Sequence, residues 1–145
     1  MPTTPIGGIF AAATTPFTAD GALDAAAAAA NAQALVATGL RGLVLVGSTG
    51  EAPLVDDAER DALLAAVRPA VPADRWLLMG IGAESTRLTI DRAKRAAALG
   101  ADAVLVVAPH YYTNAMTPAA QEAHYRAVAD ASPVPVMLYS IPQYM

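Results

Sequence analysis

Gly42-Leu43-Val44-Leu45-Val46-Gly47-Ser48-Thr49-Gly50-Glu51 is an apolar run that stops abruptly in a turn. Leu43 to Val46 is wholly apolar and β-branched at two positions. That pattern suits a parallel strand buried on both faces, although periodicity alone leaves a buried helix open. Gly47 and Gly50 allow backbone angles that other residues avoid. The hydroxyls of Ser48 and Thr49, with the turn's amides, would line a pocket with hydrogen-bond donors. Glu51 and Pro53 close the turn, and a helix opens near Asp56. Such a turn at the carboxyl end of a buried strand can hold a small anion, a carboxylate or a phosphate. The alternative is a plain strand-to-helix turn, with glycines for sterics and hydroxyls for local bonds.

The same alternation extends on both sides of this stretch. Ile9 to Ala13 reads as a first strand ending at Thr14-Thr15-Pro16-Phe17. The turn at Ala19-Asp20-Gly21 leads to a helix capped by Asp24 that runs through the alanines and stops before Gly39. Asp56 with Glu59 three residues later forms a capping-box pattern, and Pro69 and Pro72 mark the end of that helix near Arg68. Trp76 to Ile81 is a third strand. Ser85 caps the next helix, whose Thr89, Ala93, Ala96, Ala97 and Gly100 share one face by the helical period; Arg87, Asp91, Lys94 and Arg95 share the other. Ala103 to Val107 is a fourth strand, followed by Pro109-His110-Tyr111-Tyr112. Thr117 caps a fourth helix with Pro118 at its first position. Val134 to Tyr139 is a fifth strand.

Composition narrows the classes of function. The 145 residues are 55% hydrophobic and 15% charged, with a formal net charge of −4, the balance of one well-buried globular domain. Scattered basic residues and a net negative charge argue against nucleic acid, which needs a basic face. The chain contains no cysteine, which removes disulfides, thiolate chemistry and cysteine zinc sites. His110 and His124 are too few and too far apart for a metal site, and His124 is expected on a helix surface. The N-terminus lacks the basic start and apolar core of a signal peptide. Asn31, Gln33, Thr38 and Arg41 interrupt the alanine-rich stretch, so no membrane span is expected. A cytoplasmic protein is the default expectation.

Alternating βα units imply a parallel sheet with right-handed crossovers, either an open doubly wound sheet or a (β/α)8 barrel. Hydroxyls, glycines and tyrosines cluster after nearly every strand, as expected where all loops converge on one barrel mouth. Gly80-Ile81-Gly82-Ala83-Glu84-Ser85 imitates the start of a dinucleotide fingerprint, but has serine at the third glycine position and sits in the third unit. A complete barrel takes roughly 250 residues. The reading is therefore the N-terminal portion of a TIM barrel, about five strands and four helices, across residues 1–145.

Five motifs, in order, resemble the class I aldolase family of dihydrodipicolinate synthase and N-acetylneuraminate lyase. They are Thr15-Pro16-Phe17, Gly47 to Glu51, Gly80 to Ala83, Pro109 to Tyr112, and Leu138-Tyr139-Ser140-Ile141-Pro142. Ala83 to Thr86, Tyr111-Tyr112 and Ala129 to Pro135 look closest to the 4-hydroxy-2-oxoglutarate aldolase branch. The resemblance implies a lyase that binds pyruvate or another 2-oxo acid as a Schiff base on a lysine, with no cofactor. It implies a carboxylate cradle at Gly47, Ser48, Thr49 and Gly50, with Ser48 also in a proton relay. Tyr139 would be the central acid/base of that relay. Tyr112 would complete it from a neighbouring subunit of a homo-oligomer, a dimer or a tetramer. Hydroxyl chains suit imine chemistry, which moves protons within a dry site.

Two departures stand beside these matches. Tyr144 occupies the place where the synthase branch carries an arginine, which favours the aldolase branch over 4-hydroxy-tetrahydrodipicolinate synthase. The only lysine, Lys94, lies on the solvent side of its helix. By resemblance the nucleophilic lysine comes from a sixth strand, past Met145, so the chain alone is expected to be inactive. A non-catalytic 2-oxo-acid-binding or assembly protein, or a phosphate-binding barrel, are the competing readings.

Overall fold

A computed structural model describes residues 2–142 of the chain. Tyr144 falls outside the described residues. The strands are β1 (Phe10–Ala12), β2 (Gly42–Leu45), β3 (Trp76–Gly80), β4 (Ala103–Val107) and β5 (Val136–Tyr139). They alternate with the helices α1 (Ala25–Ala37), α2 (Asp57–Val67), α3 (Thr86–Ala98) and α4 (Pro118–Ala131). All four strand pairings are parallel, and the spatial order is β1-β2-β3-β4-β5. A doubly wound sheet reverses its strand order at a switch point. This sheet does not, so each crossover adds the next strand on the same side. The architecture is the N-terminal arc of a (β/α)8 barrel.

Local chemistry starts the helices where the sequence places them. The Asp24 carboxylate accepts from Ala27 N at 2.9 Å, the Ser85 hydroxyl from Leu88 N at 3.2 Å and the Thr117 hydroxyl from Ala120 N at 3.2 Å. Asp56 and Glu59 form both halves of the capping box at the start of α2, at 2.8 and 2.9 Å. Each cap satisfies an amide that the first helical turn would otherwise leave open.

The pleat then divides the strands into two faces. Leu43, Leu45, Leu77, Met79, Val104 and Val106 point to the helices and pack with Leu63, Leu64, Val67, Ala93, Ala96 and Val128. The opposite face carries a smaller cluster of Trp76, Leu78 and Ala103 with Phe10, Val44 and Met137 against it. This second set is the inner wall of the barrel arc. The carboxyl ends of its strands open onto the candidate site.

One allowance goes unused and one expectation needs correction. Gly47 and Gly50 do not have positive φ; the residues that flank them do, Val46 at +52° and Glu51 at +56°. The chain leaves β2 by bending at Val46, one residue before the first glycine of the turn. His124 is not on a helix surface. It is 4% exposed, and its Nδ1 lies 2.9 Å from the Thr86 hydroxyl. α4 packs against α3, and the neighbour covers a face that a helix alone would leave in water.

Candidate functional site

Val46 carries its side chain buried while its backbone turns left-handed, an uncommon state for a β-branched residue. The bend pushes the Val46 carbonyl against β3. A Cβ on Gly80 would lie 1.9 Å from Val46 O, so only glycine fits there. Gly50 has a similar steric role: a Cβ would meet Val46 N at 2.9 Å and Ala13 O at 3.0 Å. The Thr15 hydroxyl donates to Gly50 O at 2.7 Å and ties the end of β1 to the turn.

Inside the turn, Gly50 N and Ala52 N both donate to Gly47 O, at 3.0 and 3.3 Å, and Glu51 N donates to Ser48 O at 3.1 Å. Among the described residues, the amides and hydroxyls of Ser48 and Thr49 have no such internal partner, and both residues are exposed. They form the free donor end of the turn.

A cavity of about 370 Å³ opens at this end of the sheet. Gly47 and Ser48 line it from the β2 turn, Gly80 from β3, Leu105 and Val107 from β4, and Tyr139 from β5. The structure therefore brings Ser48 and Tyr139, distant in sequence, to the same cavity. Thr49 and Gly50 sit in the turn but do not line the cavity. Tyr112 does not line it either; it is 72% exposed and stacks edge-on against Tyr111 with ring centroids 4.9 Å apart. Lys94 is exposed on α3 and is absent from the lining.

Two residues near the site were not singled out by sequence reasoning. His110, considered there only as a metal ligand, forms part of the cavity wall. Arg60 is 5% exposed and spans from α2 to the site. It donates to Gly80 O at 2.8 Å, to Val55 O at 3.1 Å and to Ala52 O. Burial and the nearby Arg92 guanidinium lower its pKa to about 10, which leaves it charged at neutral pH. Arg60 thus fixes the outgoing side of the turn to β3. The signal was present in the sequence: Arg60 falls on the Leu63, Leu64, Val67 stripe of α2, and a cation on an apolar stripe needs buried acceptors.

The sequence model of the dihydrodipicolinate synthetase family matches residues 5–145. The 4-hydroxy-tetrahydrodipicolinate synthase 1 of Streptomyces coelicolor is 51% identical over 138 residues, covering 95% of this chain and 45% of that protein. The dihydrodipicolinate synthase DapA-2 of Bacillus anthracis superposes with a TM-score of 0.89 at 34% identity, over 97% of this chain and 47% of that one. The chloride-inhibited dihydrodipicolinate synthase of Acinetobacter baumannii, solved with pyruvate, gives 0.90 at 33% identity, over 97% and 48%. The chain spans just under half the length of these relatives. A family match that begins at residue 5 and reaches the last residue, on a parallel sheet whose strands follow one another in chain order, places this chain in the dihydrodipicolinate synthetase family.

Proposed function

We propose that the cavity is a pyruvate site, and that this chain supplies the carboxylate cradle and the acid–base tyrosine of a Schiff-base-forming carbon–carbon lyase or synthase. The single observation that carries this reading is the convergence of Ser48 and Tyr139 on one cavity beside a turn with free donors. The Ser48 amide and hydroxyl, in the cavity wall, would hold the pyruvate carboxylate, with the Thr49 donors beside them at the rim of the turn, and charge-assisted bonds of this kind are the strong ones. The Tyr139 hydroxyl would pass protons at the carbonyl carbon: one leaves the attacking amine, and one reaches the oxygen that departs as water. The amine belongs to a lysine outside residues 1–145. Tyr112 would reach a neighbouring subunit's relay, which accords with its position outside this chain's own cavity.

Within the family the synthase reading is better supported than the 4-hydroxy-2-oxoglutarate aldolase reading that the sequence motifs favoured. The Streptomyces coelicolor relative, identical at half of the aligned positions, is a 4-hydroxy-tetrahydrodipicolinate synthase. A fusion of this chain to the C-terminal remainder of that relative tests the choice: formation of 4-hydroxy-tetrahydrodipicolinate is expected, and cleavage of 4-hydroxy-2-oxoglutarate without it would reverse the assignment. For the chain alone, borohydride with pyruvate should trap no adduct. Ser48→Ala should weaken pyruvate binding, followed by NMR titration, about tenfold, the loss of roughly one bond to a charged group at an open site. Unchanged affinity would reject the cradle.

A further inference from the structure

We propose that Glu84 is a positioning residue that holds the loop after β4 and thereby sets His110 in the cavity wall and presents Tyr111 and Tyr112 on the outside. The contact begins with a close approach of two loops. A Cβ on Gly82 would lie 2.5 Å from Val107 Cγ1, so glycine lets the exit of β3 lie against the end of β4. Glu84, two residues on and just before the Ser85 cap of α3, then reaches across. Its Oε2 accepts from His110 N at 3.1 Å and from Tyr111 N at 3.0 Å. Its Oε1 lies 3.4 Å from His110 Nδ1.

Two consecutive main-chain amides pointing at one carboxylate form a small anion-binding concavity, here filled by the protein's own side chain. Among the described residues, no other side chain bonds the main chain of residues 109–112. His110 lines both the 370 Å³ cavity and an adjoining cavity of about 440 Å³, which Arg60, Glu84 and Arg92 also line. The clamp therefore holds a residue that both cavities share. Tyr111 and Tyr112, 75% and 72% exposed, follow directly from the clamped amides. The importance of Tyr112 to chemistry rests on the proposed function; the clamp itself does not.

The test uses the 145-residue chain without ligand, diluted until light scattering shows no association, comparing wild type, Glu84→Ala and Glu84→Gln. Amide hydrogen exchange at His110 and Tyr111, and chymotrypsin cleavage after Tyr111 and Tyr112, should both speed up about tenfold in Glu84→Ala, the ratio that one such bond at a half-exposed carboxylate supports. Glu84→Gln keeps an oxygen acceptor and should recover most of the protection. Exchange of Leu78 in β3 should not change in either variant. Unchanged protection in Glu84→Ala, no recovery in Glu84→Gln, or a rise that extends equally through β3 would overturn the clamp. Because no pyruvate is present, failure here is separate from failure of the Ser48 titration.

Discussion

Val46 shows how a single residue pair builds the site. A β-branched residue in the left-handed region carries about 1–2 kcal/mol of strain. The fold offsets it by burying the Val46 side chain and by removing every side-chain atom from Gly80 opposite. In return, the backbone swings the Gly47–Gly50 turn over the end of the sheet, and the free donors of Ser48 and Thr49 face outward. Strain stored beside a candidate site is consistent with a conformation held by its surroundings. Gly80→Ala should therefore be far more damaging than an ordinary surface change, by more than about 3 kcal/mol, because the new methyl meets a backbone carbonyl and not a flexible side chain. Urea denaturation checks this: a loss below about 1 kcal/mol would mean that the Val46 bend is not held as described.

Between elements, α3 and α4 are joined by the Thr86 hydroxyl and His124 Nδ1, while His124 Nε2 is buried without a partner among the described residues. Burial lowers the His124 pKa below its ordinary 6.5. The sign follows from linkage. The unfolded chain takes up the proton more readily than the folded one, so the stability that depends on neutral His124 is complete above about pH 6.5 and is lost as pH falls through the folded value. His124→Gln can still bond Thr86 but does not titrate. Its stability should fall less than that of the wild type between pH 7 and pH 5, measured by urea midpoints at each pH. Parallel curves would show that His124 carries no such linkage.

For the whole molecule, the decisive feature is an open arc. β1 and β5 are the two edges of the sheet and do not pair with each other. Leu138 on β5 is 58% exposed, and Ile9 beside β1 is 72% exposed. Helices cover only the outer face, so Phe10, Val44 and Met137 remain partly open on the inner one. Edge strands of this kind template pairing with other chains. Reburial of apolar area contributes about 25 cal/mol per Å², so a patch of a few hundred Å² is enough to drive association. The isolated 145-residue chain should form oligomers or aggregates as its concentration rises, followed by light scattering. A cooperative monomer at high concentration would contradict the open-arc description.

Much of this was determined by the sequence alone. Caps at Asp24, Asp56, Ser85 and Thr117 placed the starts of the four α-helices, and apolar runs that stop at glycine or proline placed the five strands to within two residues. These signals are local: a cap bonds an amide three residues away, and a buried strand needs an unbroken apolar run. Ser48 and Tyr139, named through the family resemblance, line one cavity because strand ends in a parallel barrel all open at one mouth. The tertiary structure decided what depends on partners distant in the chain. His124 is buried because α3 crosses it. The turn's left-handed residues are Val46 and Glu51 and not the glycines, and the bend fits because Gly80 leaves room for the Val46 carbonyl and Gly50 leaves room for the Ala13 carbonyl. Glu84 reaches His110 and Tyr111 beside the close approach of Gly82 to the end of β4, a contact over 26 residues of sequence that no local pattern encodes.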